Sequence, residues 1–230
     1  FSLKWYEALF RDKALFKALG NSLILGATSC LCAAVIGTLG AYGMTKARLR
    51  TKGAVEYIST LPIMIPEIIL GMVFMAFFSL IGIPFGMGTL VLAHTAFCIP
   101  YIFMLVKARL VGMDPSLAEA ALDLGASPQR VFFDITLPLV APAILSGMLL
   151  AFAMSIDDVI ISVFVTGVDT NTLPVKIYTQ LKTGVTPEIN ALCTLLFGAV
   201  LVLCGLAVWL GRTPKNKQAA GDTANPPENR

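Results

Sequence analysis

Five apolar runs, at about 23 to 44, 56 to 81, 89 to 106, 139 to 164 and 190 to 210, are each close to the ~20 residues a helix needs to cross a ~30 Å hydrocarbon layer. Inside a bilayer every backbone N–H and C=O must find a partner within the protein, so only helices and closed barrels can span it. Runs this long and this uniformly apolar suit helices. With 57% hydrophobic residues, 13% charged residues and a mean hydropathy of +0.80, 230 residues could not clothe a water-soluble surface. The expected fold is all-α: a polytopic transmembrane helical bundle with five visible spans.

One polar segment interrupts the apolar runs. Residues 119 to 138 read EAALDLGASPQRVFFDITLP. Asp114 followed by Pro115 is an N-cap before the favoured first helical residue. Leu117, Ala120, Ala121 and Leu124 give one apolar face, Gly125 stands where a positive-φ residue would end the helix, and Ser127-Pro128 opens a second helix. The segment also resembles the EAA motif of bacterial ABC importer permeases. Its pattern, EAA, three residues, G, nine residues, I-x-LP, is met by Glu119, Ala120, Ala121, Gly125, Ile135, Leu137 and Pro138. The resemblance implies a type I ABC importer permease fold and two short helices, joined by a sharp turn, that dock into a groove on a separate ATPase.

The resemblance also implies an assembly: this chain, a second homologous permease, two copies of an ABC ATPase subunit and an extracytoplasmic substrate-binding protein, set in the lipid bilayer of a bacterial inner membrane. No GxxxxGK[ST] loop occurs in the chain, so ATP hydrolysis is expected from the separate subunit. No catalytic residue, metal, cofactor or nucleic-acid partner is expected. The transmembrane domain should cover residues 1–210, with the coupling loop at 107–138, and residues 211–230, rich in Pro, Asn, Gly and charge, should form a disordered cytoplasmic tail.

Basic residues gather in cytoplasmic loops. With the EAA loop inside, Lys46, Arg48, Arg50, Lys52, Lys107, Arg109, Arg130, Arg212, Lys215 and Lys217 fall on the cytoplasmic side, against Lys4, Arg11, Lys13, Lys17, Lys176 and Lys182 outside. The EAA loop and the C-terminus are therefore expected in the cytoplasm, with residue 1 outside. Family members of this topology carry six spans, so the chain is expected to lack the first, and its initial residue is Phe1 rather than Met. Residues 4–19, with Tyr6, Leu9, Phe10, Lys13 and Phe16 at helical spacing, suit either a helix lying on the outer membrane surface or a plain connector.

A carboxylate in the bilayer interior costs roughly 2.5 to 3.5 kcal/mol on insertion scales, so it normally faces a partner or a wet path. Glu67, Asp157 and Asp158 are the three such residues. Glu67 follows Pro62 and Pro66, which should kink or break the second span. Ser155, Asp158, Ser162 and Thr166 would share one stripe of a continuous helix, with Asp157 about 100° around it. The candidate substrate-pathway residues are thus Asp158, Asp157 and Glu67, the alternative being carboxylates that pin helix contacts. His94, the one histidine, reads as a packed, hydrogen-bonded residue. The five cysteines lie within the spans and read as small apolar residues.

The stretch SIDDVIISVFVTG, followed by TLPVKIYTQLKTGVTPEINAL, is similar to the spermidine/putrescine branch of the importers, which implies a polyamine cargo. Branches for opines, ferric iron, sulfate or molybdate share the EAA finger and remain the alternatives. An intramembrane aspartyl protease would need two facing carboxylates, whereas Asp157 and Asp158 are adjacent and no Gly-x-Gly-Asp occurs. A stand-alone channel or secondary transporter would not need the EAA finger.

Overall fold

A computed structural model describes residues 4–46, 52–184 and 187–211. Two compact units emerge, one comprising residues 1–10 with 186–230, the other residues 11–185. The expected disordered tail lies beyond Gly211, outside the described residues, as do Arg48 and Arg50.

Two helices belong to the smaller unit, α1 (Lys4–Arg11) and, at the far end of the chain, α11 (Pro187–Gly211), which covers the fifth expected span. Near the start of the larger unit, Asp12 divides the surface helix expected over 4–19. Its Oδ1 accepts from the amides of Ala14 (2.8 Å) and Leu15 (3.1 Å), an N-cap that starts α2 (Lys13–Lys46). Residues 13–19 are thus the first turns of a 34-residue helix, not part of a separate surface helix.

The second expected span is two helices, α3 (Lys52–Met64) and α4 (Glu67–Leu80), bent by 106°. Pro66 sits at the corner with φ −53° and ψ 132°. It has no N–H to continue α3, and its ring forces the residue before it out of the helical region. The break is far sharper than a proline kink. From α5 (Met87–Val111) the chain passes through the short α6 (Ser116–Asp123) into a 30-residue helical run, Pro128–Asp157. That run comprises one turn, α7 (Pro128–Arg130), a π-helical turn (Val131–Thr136) and α8 (Leu137–Asp157). The fourth expected span ends early, because residues 158 and 159 interrupt it before α9 (Ile160–Val165). α10 (Leu173–Thr183) completes the unit.

Among the described residues three helices, α2, α5 and the Pro128–Asp157 run, are long and apolar enough to cross a membrane, or four spans if α3 and α4 count as one. α5 is the centre of the larger unit, with Leu90, Ala93, Phe97, Cys98, Ile102 and Val106 buried against α2 and α8. Hydrocarbon gives apolar side chains no reason to prefer each other over lipid, so close backbone approach must hold such helices together. At Gly37 of α2 an added Cβ would lie 3.2 Å from the Ile99 carbonyl oxygen, and at Gly147 of α8 it would lie 3.0 Å from the Ile102 Cα. α5 is thus gripped from both sides around Ile102. Cys30 is buried while Cys32 is exposed, as two residues on different sides of α2 must be.

The segment after α9 is tied to the N-terminal part of α2. Asn21 Nδ2 donates to the carbonyls of Asn171 (3.1 Å) and Asp169 (3.4 Å), and the Leu173 amide donates to Ser22 Oγ at 2.8 Å. Lys176 Nζ meets Asp12 Oδ2 at 2.9 Å. Burial pushes the Asp12 carboxyl up, but the Lys176 ammonium and the amides of Leu15 and Ala14 outweigh it and leave the group below its ordinary value.

Candidate functional sites at the finger and at the helix breaks

The polar segment folds as a finger shaped almost wholly by bonds between near neighbours. Asp114 Oδ1 accepts from the Ser116 amide at 2.9 Å, a bond that lowers its pKa. Pro115 follows with helical φ and ψ and α6 begins. At the other end Gly125 has φ +84°. Its amide donates to the Leu122 carbonyl (2.9 Å) and the Ala126 amide to the Ala121 carbonyl (3.0 Å), the paired bonds of a Schellman motif. Nothing lies within 4 Å of where a Gly125 Cβ would be. Glycine is needed here for its backbone angle, not for space.

Ser127 Oγ then accepts from the Arg130 amide at 3.4 Å, opening the second helix with Pro128 at its first position. This second helix is not short, since it runs on through the π turn into α8. Pro138 supplies a reason: it lacks an N–H and its ring would strike the carbonyl four residues back, so the helix widens before it. The Leu137 amide accordingly reaches the Phe132 carbonyl, five residues away. Arg109 Nε donates to the Leu139 carbonyl at 3.2 Å and closes the base of the finger.

α6 packs on the π turn and buries no residue completely. Glu119 and Ala120 are exposed, Ala121 is half-buried, and Leu117 and Leu124 (89% exposed) stand out from the same face. Ile135 and Leu137 are half-buried and Pro138 is exposed. The expected apolar face is present and uncovered.

The three acids expected within the spans gather where two helices break. Glu67 is the first residue of α4, Asp157 the last of α8, and Asp158 stands in the gap before α9. α4 packs on α9, so the breaks meet, and Glu67 lies within electrostatic reach of Asp158 and Asp157. Tyr101 of α5, half-buried, lies within reach of Glu67.

The adjacent aspartates have opposite environments. Asp157 is exposed, while the Asp158 side chain is only 2% exposed. Asp158 Oδ1 accepts from the Ile161 amide (3.1 Å) and Oδ2 from the Ser162 amide (2.8 Å), capping α9. The completely buried His94 contacts the same turn. Its Nδ1 lies 2.8 Å from Ser155 Oγ, and its Nε2 lies 3.0 Å from Ser162 Oγ and 3.4 Å from Asp158 Oδ2.

These bonds correct the single polar stripe expected along one helix. Ser155, Asp158 and Ser162 do converge, but on His94 and across a break, while Thr166 instead pairs with the Thr170 hydroxyl at 3.2 Å. A side chain that takes the forward amides competes with the helix itself, and the β-branched run Val159, Ile160, Ile161 lowers the helix's claim on this turn. His94 is packed and hydrogen-bonded, as its isolation in the sequence suggested. Its partners, 61 and 68 residues away, left no local signal. Among the described residues no group of three or more His, Cys, Asp or Glu could hold a metal ion.

Residues 33–212 match the family of binding-protein-dependent transport system inner membrane components. The chain is 41% identical over 228 residues to the putrescine transport system permease protein PotI of Escherichia coli K12, covering 96% of this chain and 81% of that protein. It is 40% identical over 212 residues to the spermidine/putrescine transport system permease protein PotC of Haemophilus influenzae, covering 92% of this chain and 82% of that protein. The fold is similar to that of a chain from a bacterial ABC transporter importing the acidic polysaccharide alginate (TM-score 0.70, 16% identity, 90% of this chain and 78% of that one). It is also similar to a chain of the inward-facing MetNI methionine ABC transporter (TM-score 0.65, 19% identity, 90% and 95%). The exposed finger, the helical bundle and these likenesses converge: the chain belongs to the binding-protein-dependent transport system inner membrane components, as a multi-pass inner-membrane permease with the type I ABC importer fold.

Proposed function

We propose that the chain forms half of the translocation pathway of an ATP-driven polyamine importer. Likeness over nearly the whole length to putrescine and spermidine/putrescine permeases carries this reading. In it the finger faces the cytoplasm and couples through Glu119, Ala120, Ala121, Gly125, Ile135, Leu137 and Pro138 to two copies of a separate ABC ATPase. A second homologous permease completes the path, and an extracytoplasmic binding protein delivers cargo. The finger's uncovered apolar face supports the docking role, because a patch kept exposed on a short capped helix suits a partner's groove.

A polyamine is a flexible polycation, and an accessible carboxylate in a low-dielectric path offers it a charge-assisted hydrogen bond. Glu67, half-buried, and Asp157, exposed, have that access. Asp158 is committed to its cap and supports the path from behind. The membrane domain is taken as residues 1–210, with the coupling loop at 107–138.

Reconstitution of the chain with its partner permease, ATPase and binding protein tests the reading. ATP hydrolysis should rise with putrescine- or spermidine-loaded binding protein and stay at its basal level with opine, ferric iron, sulfate or molybdate. Stimulation by one of those cargos but by no polyamine would overturn it.

A further inference from the structure

His94 is a completely buried polar group with contacts to Ser155, Ser162 and Asp158, and coupling through the finger does not use it. Each of its contacts falls on the α8–α9 break. Both Asp158 oxygens already accept backbone amides, so the carboxylate is an acceptor and the ring N–H belongs on Nε2, facing Asp158 Oδ2 and Ser162 Oγ. Nδ1 is then left to accept the Ser155 hydroxyl at 2.8 Å. One imidazole therefore holds the last turn of α8 through Ser155 and the first turn of α9 through Ser162. It does so from α5, the most buried of the three long apolar helices among the described residues. Asp157 lies between those two anchors and, among the described residues, its side chain has no hydrogen bond or ion pair of its own, so its direction is set by where the turn is held.

We infer that His94 is a positioning residue for cargo passage, fixing the α8–α9 break so that the Asp157 carboxylate faces Glu67 and the path. The inference rests on the reading of Glu67 and Asp157 as the cargo-facing acids. A buried polar cluster with all partners in place rigidifies the segment it joins, and loss of one member leaves the others unsatisfied. Without the ring, Ser155, Ser162 and Asp158 lose their common partner and the turn can settle in other arrangements. The carboxylate at 157 remains but is no longer held in place.

A double-mutant cycle in the full reconstituted importer separates this from a plain packing role. Uptake of putrescine and the amount moved per ATP hydrolysed are measured for His94→Ala, Asp157→Asn and both together, with assembly followed by co-purification of the ATPase. Each single variant should lower uptake by roughly fivefold or more, and the double variant should be within about twofold of Asp157→Asn alone, because residues acting through one another are not additive. His94→Gln, whose amide keeps a donor and an acceptor, should recover at least half of the loss. If His94→Ala fails to assemble, His94→Asn takes its place in the cycle.

Normal uptake in the His94 variants overturns the inference. So does a full, independent loss on the Asp157→Asn background, while leaving the cargo-facing acids intact. Normal uptake in Asp157→Asn itself overturns the reading of those acids, and the positioning role falls with it.

Discussion

The finger and the α8–α9 break are both departures from straight helix, and they are held in opposite ways. In the finger the shaping bonds join residues two to five apart: Asp114 to Ser116, Gly125 to Leu122, Ala126 to Ala121, Ser127 to Arg130. At the break the Asp158 cap is local, but His94 reaches Ser155 and Ser162 over 61 and 68 residues. The finger carries its shape wherever the chain takes it, whereas the break has its shape imposed by α5. An element that must meet another protein benefits from the first arrangement, and a turn inside a bundle can rely on the second. Damage to the finger should therefore spoil coupling while sparing the bundle, and damage to the break should reach assembly.

The sharpest test of that contrast is Gly125→Val. Holding a β-branched residue at φ +84° costs about 1–2 kcal/mol, and the finger relieves it by losing its turn. Polyamine-stimulated ATP hydrolysis and uptake should fall by about tenfold or more, the factor that corresponds to about 1.4 kcal/mol, with membrane insertion unchanged. Because nothing crowds the position, Gly125→Asn, which tolerates positive φ, should retain most activity. Equal damage from Val and Asn would mean that the backbone angle is not what matters there. Glu119→Lys reverses the charge on the exposed face and should abolish coupling with the fold intact, read as loss of stimulated but not basal ATP hydrolysis.

Next comes the pair of aspartates. Asp158→Ala removes both caps of α9 and should cost about 1–2 kcal/mol, seen as a lower melting temperature and a poorer yield of assembled complex. Asp157→Asn should leave both unchanged while lowering uptake. If the two substitutions affect stability alike, the division between a structural and an exposed aspartate is wrong. Glu67→Gln should lower uptake by a smaller factor, about twofold to fivefold, since it removes one charged hydrogen bond and keeps a neutral one.

The smallest effect concerns the tie between Asp12 and Lys176. A carboxyl held below its ordinary value stabilises above the unfolded value of about 3.9 and loses that contribution as pH falls through its lower folded value. Lys176→Met should therefore change little at pH 7, by about 1 kcal/mol or less for this partly buried pair near the surface. It should also remove the part of the loop's acid sensitivity seen below about pH 4, measured by protease cleavage between residues 166 and 184.

The same contrast decides what could be read from the residues. The helical bundle followed from run length, and the finger's cap, turn and second start followed from Asp114-Pro115, Gly125 and Ser127-Pro128, because the atoms that satisfy one another there are neighbours in the chain. Proline announced the break at residue 66, though not its 106°, which depends on what α4 packs against. The break at 158 carries no proline or glycine. It arises when one carboxylate takes two forward amides and a histidine from another helix holds both sides, and no spacing rule links residue 94 to 155 or 162. For the same reason the spacing placed Asp158 on a polar stripe with Asp157 about 100° around from it, whereas the structure buries Asp158 and exposes Asp157.

Because the π turn at Val131–Thr136 bridges the finger and α8 without interrupting the helix, residues 128 to 157 form one continuous helical arm. Thirty residues at 1.5 Å each give a length of about 45 Å, of which about 15 Å lies between Gly147 and Asp157, so a rocking of about 5° about Gly147 moves the finger end by about 2.5 Å and the Asp157 end by about 1.3 Å. The load at the far end is Asp157, and the pivot is where Gly147 presses α8 against Ile102 of α5. If the finger docks on an ATPase as proposed, a force delivered there reaches Asp157 along one unbroken helical run.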